Sequence, residues 1–360
     1  MTATEYYNKS KDFLRKGRFD LALENIQQAL ALEPQNIRYV AWRGFCFRQL
    51  GQFEAALADF SNAVEKSPDE VEYYNKRGEL FCQLDRFEEG LKDFETALSL
   101  DPQNYSGQYY KACVLEDLDR REEALLAFDR AAELDPENEL PYLYKGNLLL
   151  SLNRLEEALQ HLNRAVDKND QNEMAFLIRG KVFFRLGRHE AALADLEKAE
   201  ALNEDLDDLN HYKGLVLLGL GQYEEALEEF NEDLIFFPDL ASSYLARATA
   251  FWGLERLEEA LSDYDKAIEL DSDIPQAYLN RGDLLNKLER FEEALEDFDQ
   301  AIELSSDYQD AYYNRGVVLN HLGRKEEALE SYDKALELNP DDEDARVNRT
   351  NLLAELGMEE

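Results

Sequence analysis

A 34-residue stretch recurs along this chain and sets what it can fold into. The tenth copy, Gln309 to Asp342, reads QDAYYNRGVVLNHLGRKEEALESYDKALELNPDD, and versions of it tile residues 3–342 without insertion or deletion. A strict period of this length means an array, in which each unit buries its apolar face on its neighbours and no single core closes. Small residues hold the register. Gly or Ala stands at 44, 78, 112, 146, 180, 214, 248, 282 and 316, and twelve residues later come Ala56, Gly90, Ala124, Ala158, Ala192, Ala226, Ala260, Ala294 and Ala328. The position after that is Leu in every copy, from Leu23 to Leu329.

Each copy reads as two helices. Counting from the start of a copy, helix A covers roughly positions 2–14 and helix B roughly 17–30, with apolar residues at i, i+3, i+4 and i+7. Phe53, Leu57, Phe60 and Val64 show the pattern in the second copy, and Phe291, Leu295, Phe298 and Ile302 in the ninth. Position 15 holds Gly17, Gly51, Gly187, Gly221 and Gly323, with Asp85, Asp119 and Asn153 elsewhere. These residue types tolerate the left-handed conformation that ends a helix. Residues 343–360 repeat helix A alone. They are expected to cap the open end through Val347, Leu352, Leu353 and Leu356, with Asp344, Arg346, Arg349 and Glu355 in water.

The pattern resembles the tetratricopeptide repeat family, which has an aromatic at position 4, small residues at 8, 20 and 27, an aromatic at 24 and Pro at 32. Tyr312, Gly316, Ala328, Tyr332, Ala335 and Pro340 match all of these. The resemblance implies an all-α, right-handed superhelical solenoid of antiparallel helix pairs. Its ten repeats would span 3–36, 37–70, 71–104, 105–138, 139–172, 173–206, 207–240, 241–274, 275–308 and 309–342, with the cap at 343–360. A fold of this kind does not by itself name a ligand.

Charge narrows the partners. The chain carries 78 acids against 39 bases, a net −39, which argues against nucleic acid and against anionic membranes. Glu pairs open helix B in most copies, from Glu88/Glu89 to Glu326/Glu327. There they meet the positive end of the helix dipole. Position 7 is basic throughout: Lys9, Arg43, Arg77, Lys111, Lys145, Arg179, Lys213, Arg247, Arg281 and Arg315. Such a ladder either binds anions or pairs with helix B acids such as Asp59, Asp93, Asp195, Asp263 and Asp297. The three cysteines have no paired spacing. The start, MTATEYYNKSKDF, has no apolar signal region, and no run approaches the ~20 apolar residues of a membrane span. A cytoplasmic location is expected.

One region departs from the pattern. The sixth copy has Glu200 at the apolar position 28, and the seventh has Asp233 at the small position 27, followed by Leu234-Ile235-Phe236-Phe237-Pro238. An acid at a packed seam needs a partner, and Lys213 or Arg247 is expected to supply it. The alternative is an articulation between residues 3–206 and 207–360.

In the resembled fold, positions 2, 5, 6, 9, 12 and 13 of helix A face a ligand. Cations gather in the first copies, with Arg38, Arg48 and Lys76 besides Lys11 and Arg15, and could take an acidic segment of a partner. Lys181 and Asn147 also fall on this face. An aromatic and apolar stretch follows: Tyr109, Tyr110, Leu143, Tyr144, Leu177, Ile178 and Tyr212, with the chain's two tryptophans, Trp42 and Trp252. Large aromatic side chains suit binding hot spots, although some could instead turn into the seam between helices. Asn280 and Asn314 recur at position 6, where a carboxamide can pair with the backbone of an extended peptide. The carboxylate clamp that some family members use for the tails of heat-shock chaperones is missing. Copies eight to ten give Leu245, Thr249, Asn280, Asp310 and Asn314, with an acid where the clamp needs Lys.

The four histidines sit in different copies, and no Ser/His/Asp set, metal spacing or phosphate-cradling loop is visible. The expected function is therefore a non-catalytic protein-interaction scaffold of adaptor, assembly-factor or co-chaperone type. It would hold an extended peptide or helix of a protein partner, with no cofactor and no metal. The alternative is a sensor that takes a small ligand or short signalling peptide in a closed pocket around Tyr144, Tyr212 and Trp252.

Overall fold

A computed structural model describes residues 1–358; the last two residues of the expected cap, 359 and 360, lie outside it. Among the described residues all regular structure is α-helical. The chain divides into two compact units, residues 1–182 and residues 183 onward. The first contains the hairpins α1/α2 (Ala3–Arg15, Phe19–Leu32), α3/α4 (Ile37–Gln49, Phe53–Lys66), α5/α6 (Val71–Gln83, Phe87–Leu100), α7/α8 (Tyr105–Asp117, Arg121–Leu134) and α9/α10 (Leu140–Ser151, Leu155–Lys168). Helix α11 (Glu173–Arg185) carries the division. The second unit contains α12 (His189–Leu202), then α13/α14 (Leu209–Gly219, Tyr223–Phe236), α15/α16 (Ala241–Gly253, Leu257–Leu270), α17/α18 (Pro275–Lys287, Phe291–Leu304), α19/α20 (Gln309–His321, Lys325–Leu338) and α21 (Glu343–Leu356). The seam at 206/207, where an articulation was the alternative, falls inside this second unit.

The residues that set the register also close the hairpins. The residue at position 24 of helix B is fully buried beneath the small residue of helix A: Phe60, Phe94, Phe128, Phe230, Tyr264, Phe298 and Tyr332 are each at most 1% exposed. Burying a ring of this size contributes roughly 2–3 kcal/mol. The fit leaves no space, since a Cβ added at Gly214 would lie 2.5 Å from Cε1 of Phe230.

Helix A ends at position 15 in a left-handed residue in all the hairpins with Gly, Asp or Asn there. Two glutamates do the same, Glu255 at φ 58° and Glu289 at φ 60°. Residue type did not mark those two positions.

The charged positions form two sets of ties. Most of the position-7 bases are structural, while the exposed Lys9 only lies over the Phe13 ring. Arg43, Arg77, Arg247 and Arg281 each grip the aspartate sixteen residues on, Asp59, Asp93, Asp263 and Asp297, through two hydrogen bonds. Lys111, Lys145, Arg281 and Arg315 reach sixteen residues back to Glu95, Asp129, Asp265 and Asp299 in the preceding hairpin. The second set was not read from the sequence. At Arg86, Arg120, Arg154, Arg256, Arg290 and Arg324 the residue before helix B pairs with the second glutamate of the opening pair. The repeated Arg-x-x-Glu spacing was the available signal.

The cap differs from expectation in two residues. Leu352 and Leu353 are buried, but Val347 is 52% exposed and contributes little cover. Arg349, expected in water, pairs with Asp333.

Candidate partner-binding faces

At the first hairpins the helix A residues build a cleft of about 480 Å³. Its walls are Tyr7, Trp42, Phe45 and Phe60, and its rim carries Lys11, Arg38, Lys76 and Glu72. The rings support one another: Tyr7 meets Trp42 edge-on at 5.7 Å, and Trp42 stacks on Phe45 at 5.5 Å. The indole Nε1 donates to Ser10 Oγ at 3.0 Å, and that hydroxyl donates to the Ala22 carbonyl at 2.6 Å. Trp42 is thereby fixed by its polar edge.

The cations of this face are of two kinds. Arg48 and Lys76 both donate to Glu79, at 2.7 and 2.8 Å. Lys11 and Arg38 have no carboxylate partner among the described residues. Lys11 lies over the rings of Tyr7 and Trp42, and Arg38 lies over Tyr7.

In the next two hairpins Tyr109 meets Tyr110 and Tyr144 edge-on, at 5.3 and 5.9 Å, and Tyr144 also stacks on the buried Phe128. Tyr144 and Asn147 are exposed, whereas Tyr109 and Tyr110 are half-buried. The expected continuous apolar strip is not present. Leu143, Leu177 and Ile178 are at most 6% exposed and belong to the core, so Ile178 is withdrawn as a contact residue. At position 6 the flat tyrosine ring leans outward from the seam while the branched Ile178 fills it. Lys181 is half-buried on α11. Burial pushes the thiols of Cys82 and Cys113 up to about 12 and that of Cys46 up to about 11, so all three stay protonated near neutrality.

In the second unit Tyr212 is half-buried between Phe184 and His211. Trp252 packs on the cluster of Ala248, Ala260, Tyr264 and Leu284. Asn280 accepts from Gln276, and Asn314 donates to Asp283 at 2.6 Å. Both carboxamides are therefore already engaged with side chains. Burial and the nearby Asp310 raise the Asp283 carboxyl to about 7.

Asp233 is 2% exposed, and its partners are not the expected ones. Ser243 Oγ donates to it at 2.5 Å, and His211 Nδ1 stands 3.5 Å away and 2.7 Å from Ser243 Oγ. Lys213 is instead held by Glu200 and Glu229, and Arg247 by Asp263 and Asn231. Serine, histidine and aspartate thus do come together, which the sequence reading did not see. The arrangement is not that of an activated nucleophile. Both Ser243 and Asp233 meet the same ring nitrogen, Ser243 is fully buried, and its proton goes to the carboxylate. No cluster of metal-ligating side chains occurs among the described residues, and no helix among them is long and apolar enough to cross a membrane.

Stacked helical hairpins with an unpaired cationic and aromatic cleft define a repeat scaffold. The chain belongs to the tetratricopeptide repeat family: profiles of that repeat match residues 7–71, 47–105, 75–139, 143–207, 179–240, 245–308 and 310–342. Proteins of this family generally mediate protein–protein interaction and scaffolding, and the fold is generally non-catalytic. No curated protein matches the chain. Among solved structures, a tetratricopeptide repeat protein from Parabacteroides merdae is 19% identical with a TM-score of 0.54, over 69% of this chain and 99% of that one. The APC/C hetero-tetramer Cut9–Hcn1 is 13% identical with a TM-score of 0.55, over 98% of this chain and 96% of that one. At these identities the likeness is one of fold.

Proposed function

We propose that the chain is a non-catalytic scaffold that holds a segment of a protein partner on its helix A faces, and that the cleft around Trp42 anchors an acidic segment carrying an apolar side chain. The observation that supports this is the pair of unpartnered cations, Lys11 and Arg38, over the rings of Tyr7 and Trp42. In a chain with net charge −39, where most bases hold carboxylates, two cations left over aromatic faces are suited to an incoming acid. The apolar walls give such a segment area, and the cations give it orientation. Tyr109, Tyr110, Tyr144 and Asn147 extend the same reading along the first unit. Tyr212, Trp252, Asn280, Asn314 and the half-buried Lys181 have weaker support, because their side chains are engaged within the fold.

The test is an array of acidic peptides, with and without Leu or Phe, titrated against the full chain while Trp42 fluorescence is followed in a Trp252→Phe background. Saturable binding by the apolar acidic peptides, weakened about tenfold by Lys11→Glu with Arg38→Glu, is the expected result. Equal binding by that charge-reversed variant would remove the assignment.

A further inference from the structure

The seventh copy breaks the repeat pattern at solvent positions. Position 31, just past helix B, is Glu33, Ser67, Asp101, Asp135, Asn169, Asn203, Asp271, Ser305 and Asn339 in the other nine copies; here it is Phe237. Position 29 is Ala, Ser, Glu or Asp in those nine copies; here it is Ile235. These side chains are not absorbed into the core. Ile235 is 75% exposed, Phe236 69% and Phe237 41%, with Leu240 close behind at 36%. Position 31, polar in every other copy, and position 29, polar or Ala there, join the exposed Phe236 in a contiguous apolar ridge, which is the mark of a contact surface.

A cleft lies against that ridge. Helix α13 starts only at Leu209, after Asp208 in a left-handed conformation with φ 65°. The turn that would begin helix A is open, which leaves a cleft of about 190 Å³ between the loop 204–208 and the end of α14. Phe236, Phe237, Leu206 and Leu209 line it, and the buried Asp233 stands at its floor. Glu204, Asp205, Asp207 and Asp208 form its rim. Pro, common at position 32, is replaced by Glu204 in the copy that supplies this rim.

We infer that this cleft and ridge form a second docking surface, for a basic segment of a protein partner that presents a Leu, Ile or Phe side chain between Lys or Arg residues. Charge complementarity decides the occupant. Four rim carboxylates beside an apolar slot favour an apolar anchor flanked by cations. A second copy of this chain, itself a polyanion, is repelled by the same rim, and so is an anionic lipid surface. The site lies apart from the Trp42 cleft in sequence and has the opposite charge preference, so one scaffold can hold two chemically distinct segments.

The experiment uses the full chain and three synthetic peptides followed by fluorescence anisotropy: one with alternating Leu/Phe and Lys/Arg, one with Lys alone, and one with Glu in place of the bases. The first peptide is expected to bind, and the other two to bind at least about tenfold more weakly. Phe236→Ser with Phe237→Ser should cost about tenfold, and so should Glu204→Lys with Asp205→Lys and Asp207→Lys, while Lys11→Glu with Arg38→Glu leaves the affinity unchanged. The substituted side chains are exposed apart from the half-buried Lys11, and circular dichroism checks that the helices persist. The inference is overturned if the first peptide does not bind, if the all-Lys peptide binds as well, or if the Ser variant binds undiminished. It is also overturned if sedimentation shows that the wild type self-associates and the Ser variant does not, since the ridge would then be a contact between copies.

Discussion

Arg281 donates to Asp297 at 2.8 Å from Nε and 2.6 Å from Nη2, while its Nη1 reaches Asp265 of the preceding hairpin at 2.7 Å. One guanidinium thus ties the two helices of its own hairpin and staples that hairpin to the one before. The planar fork makes two bonds to Asp297 and one to Asp265 at once, whereas Lys111 and Lys145 pair with an acid of the preceding hairpin and Lys213 bridges Glu200 and Glu229 as a single point charge. Burial raises the Asp297 carboxyl despite the guanidinium, so part of the cost of burying it remains. The pair therefore fixes register more than it adds stability.

Removing one partner exposes that cost. Arg281→Met leaves Asp297 buried and alone, and should destabilise the α17/α18 hairpin by about 3 kcal/mol. Adding Asp297→Leu should restore most of the loss, because no charge is then left unpaired. Hydrogen exchange in α17 and α18 reads both. Arg290→Ala, which breaks an exposed pair with Glu293, should leave exchange unchanged; surface pairs contribute little. A loss on Arg290→Ala equal to that on Arg281→Met would show that burial does not separate the two sets.

Glu255 and Glu289 occupy left-handed conformations that other copies give to Gly, Asp or Asn. A β-carbon at such a φ costs about 1–2 kcal/mol, partly offset by the entropy that Gly loses on folding. Glu289→Gly should therefore stabilise its hairpin by about 0.5–1 kcal/mol, with Glu255→Gly alike. The urea midpoint measures it, and a fall in midpoint would mean that the glutamate side chain makes a contribution larger than the strain.

The fold was legible because the period is strict. A small residue under a buried ring, as at Gly214 and Phe230, leaves one packing per copy, and repetition removes the ambiguity of any single copy. The faces were less legible. Position 6 is Tyr144 in one copy and Ile178 in the next-but-none, and only the packing of α9 and α11 decides that the tyrosine emerges while the isoleucine is buried. Asp233 was recognised as needing a partner, but charge alone suggested Lys213 or Arg247. The actual partners, Ser243 and His211, are neutral or only weakly basic side chains that periodicity does not mark. The ridge at Ile235 to Phe237 was visible as an anomaly, yet its exposure depended on where α14 ends and α13 begins.

His161 carries a pH prediction. Burial, then the nearby Lys145 and Arg164, lowers its imidazole to about 4, against the opposing pull of Asp129 and Glu157. Its Nδ1 is buried without a hydrogen-bond partner, and the ring stacks on Tyr142. The unfolded chain protonates near its ordinary value of about 6.5. Between about 6.5 and about 4 the unfolded state binds the extra proton, so stability falls as pH falls through that window and is untouched above it. His161→Phe should flatten this part of the pH profile. An imidazole that titrates at its ordinary value in the folded protein by NMR would refute the assignment.

Asp283 works in the opposite sense. Burial, then repulsion from Asp310, raises its carboxyl to about 7, while Asn314 Nδ2 donates to it. In the unfolded chain it titrates near about 3.9. Between those values the folded state holds the extra proton, so stability falls as pH rises from about 4 to about 7, and the whole penalty is present above that. Asp283→Asn keeps an oxygen for Asn314 and removes the charge. It should stabilise the protein by the order of 1 kcal/mol at alkaline pH, discounted for partial exposure, and by about half as much near pH 5.5. The comparison belongs above the isoelectric point, near 4.4, where the chain stays soluble. Carboxyl carbon shifts read the titration directly. A carboxyl that titrates near its ordinary value, or a variant whose gain does not grow with pH, would show that Asp283 is solvated in the folded chain and that Asp310 does not act on it.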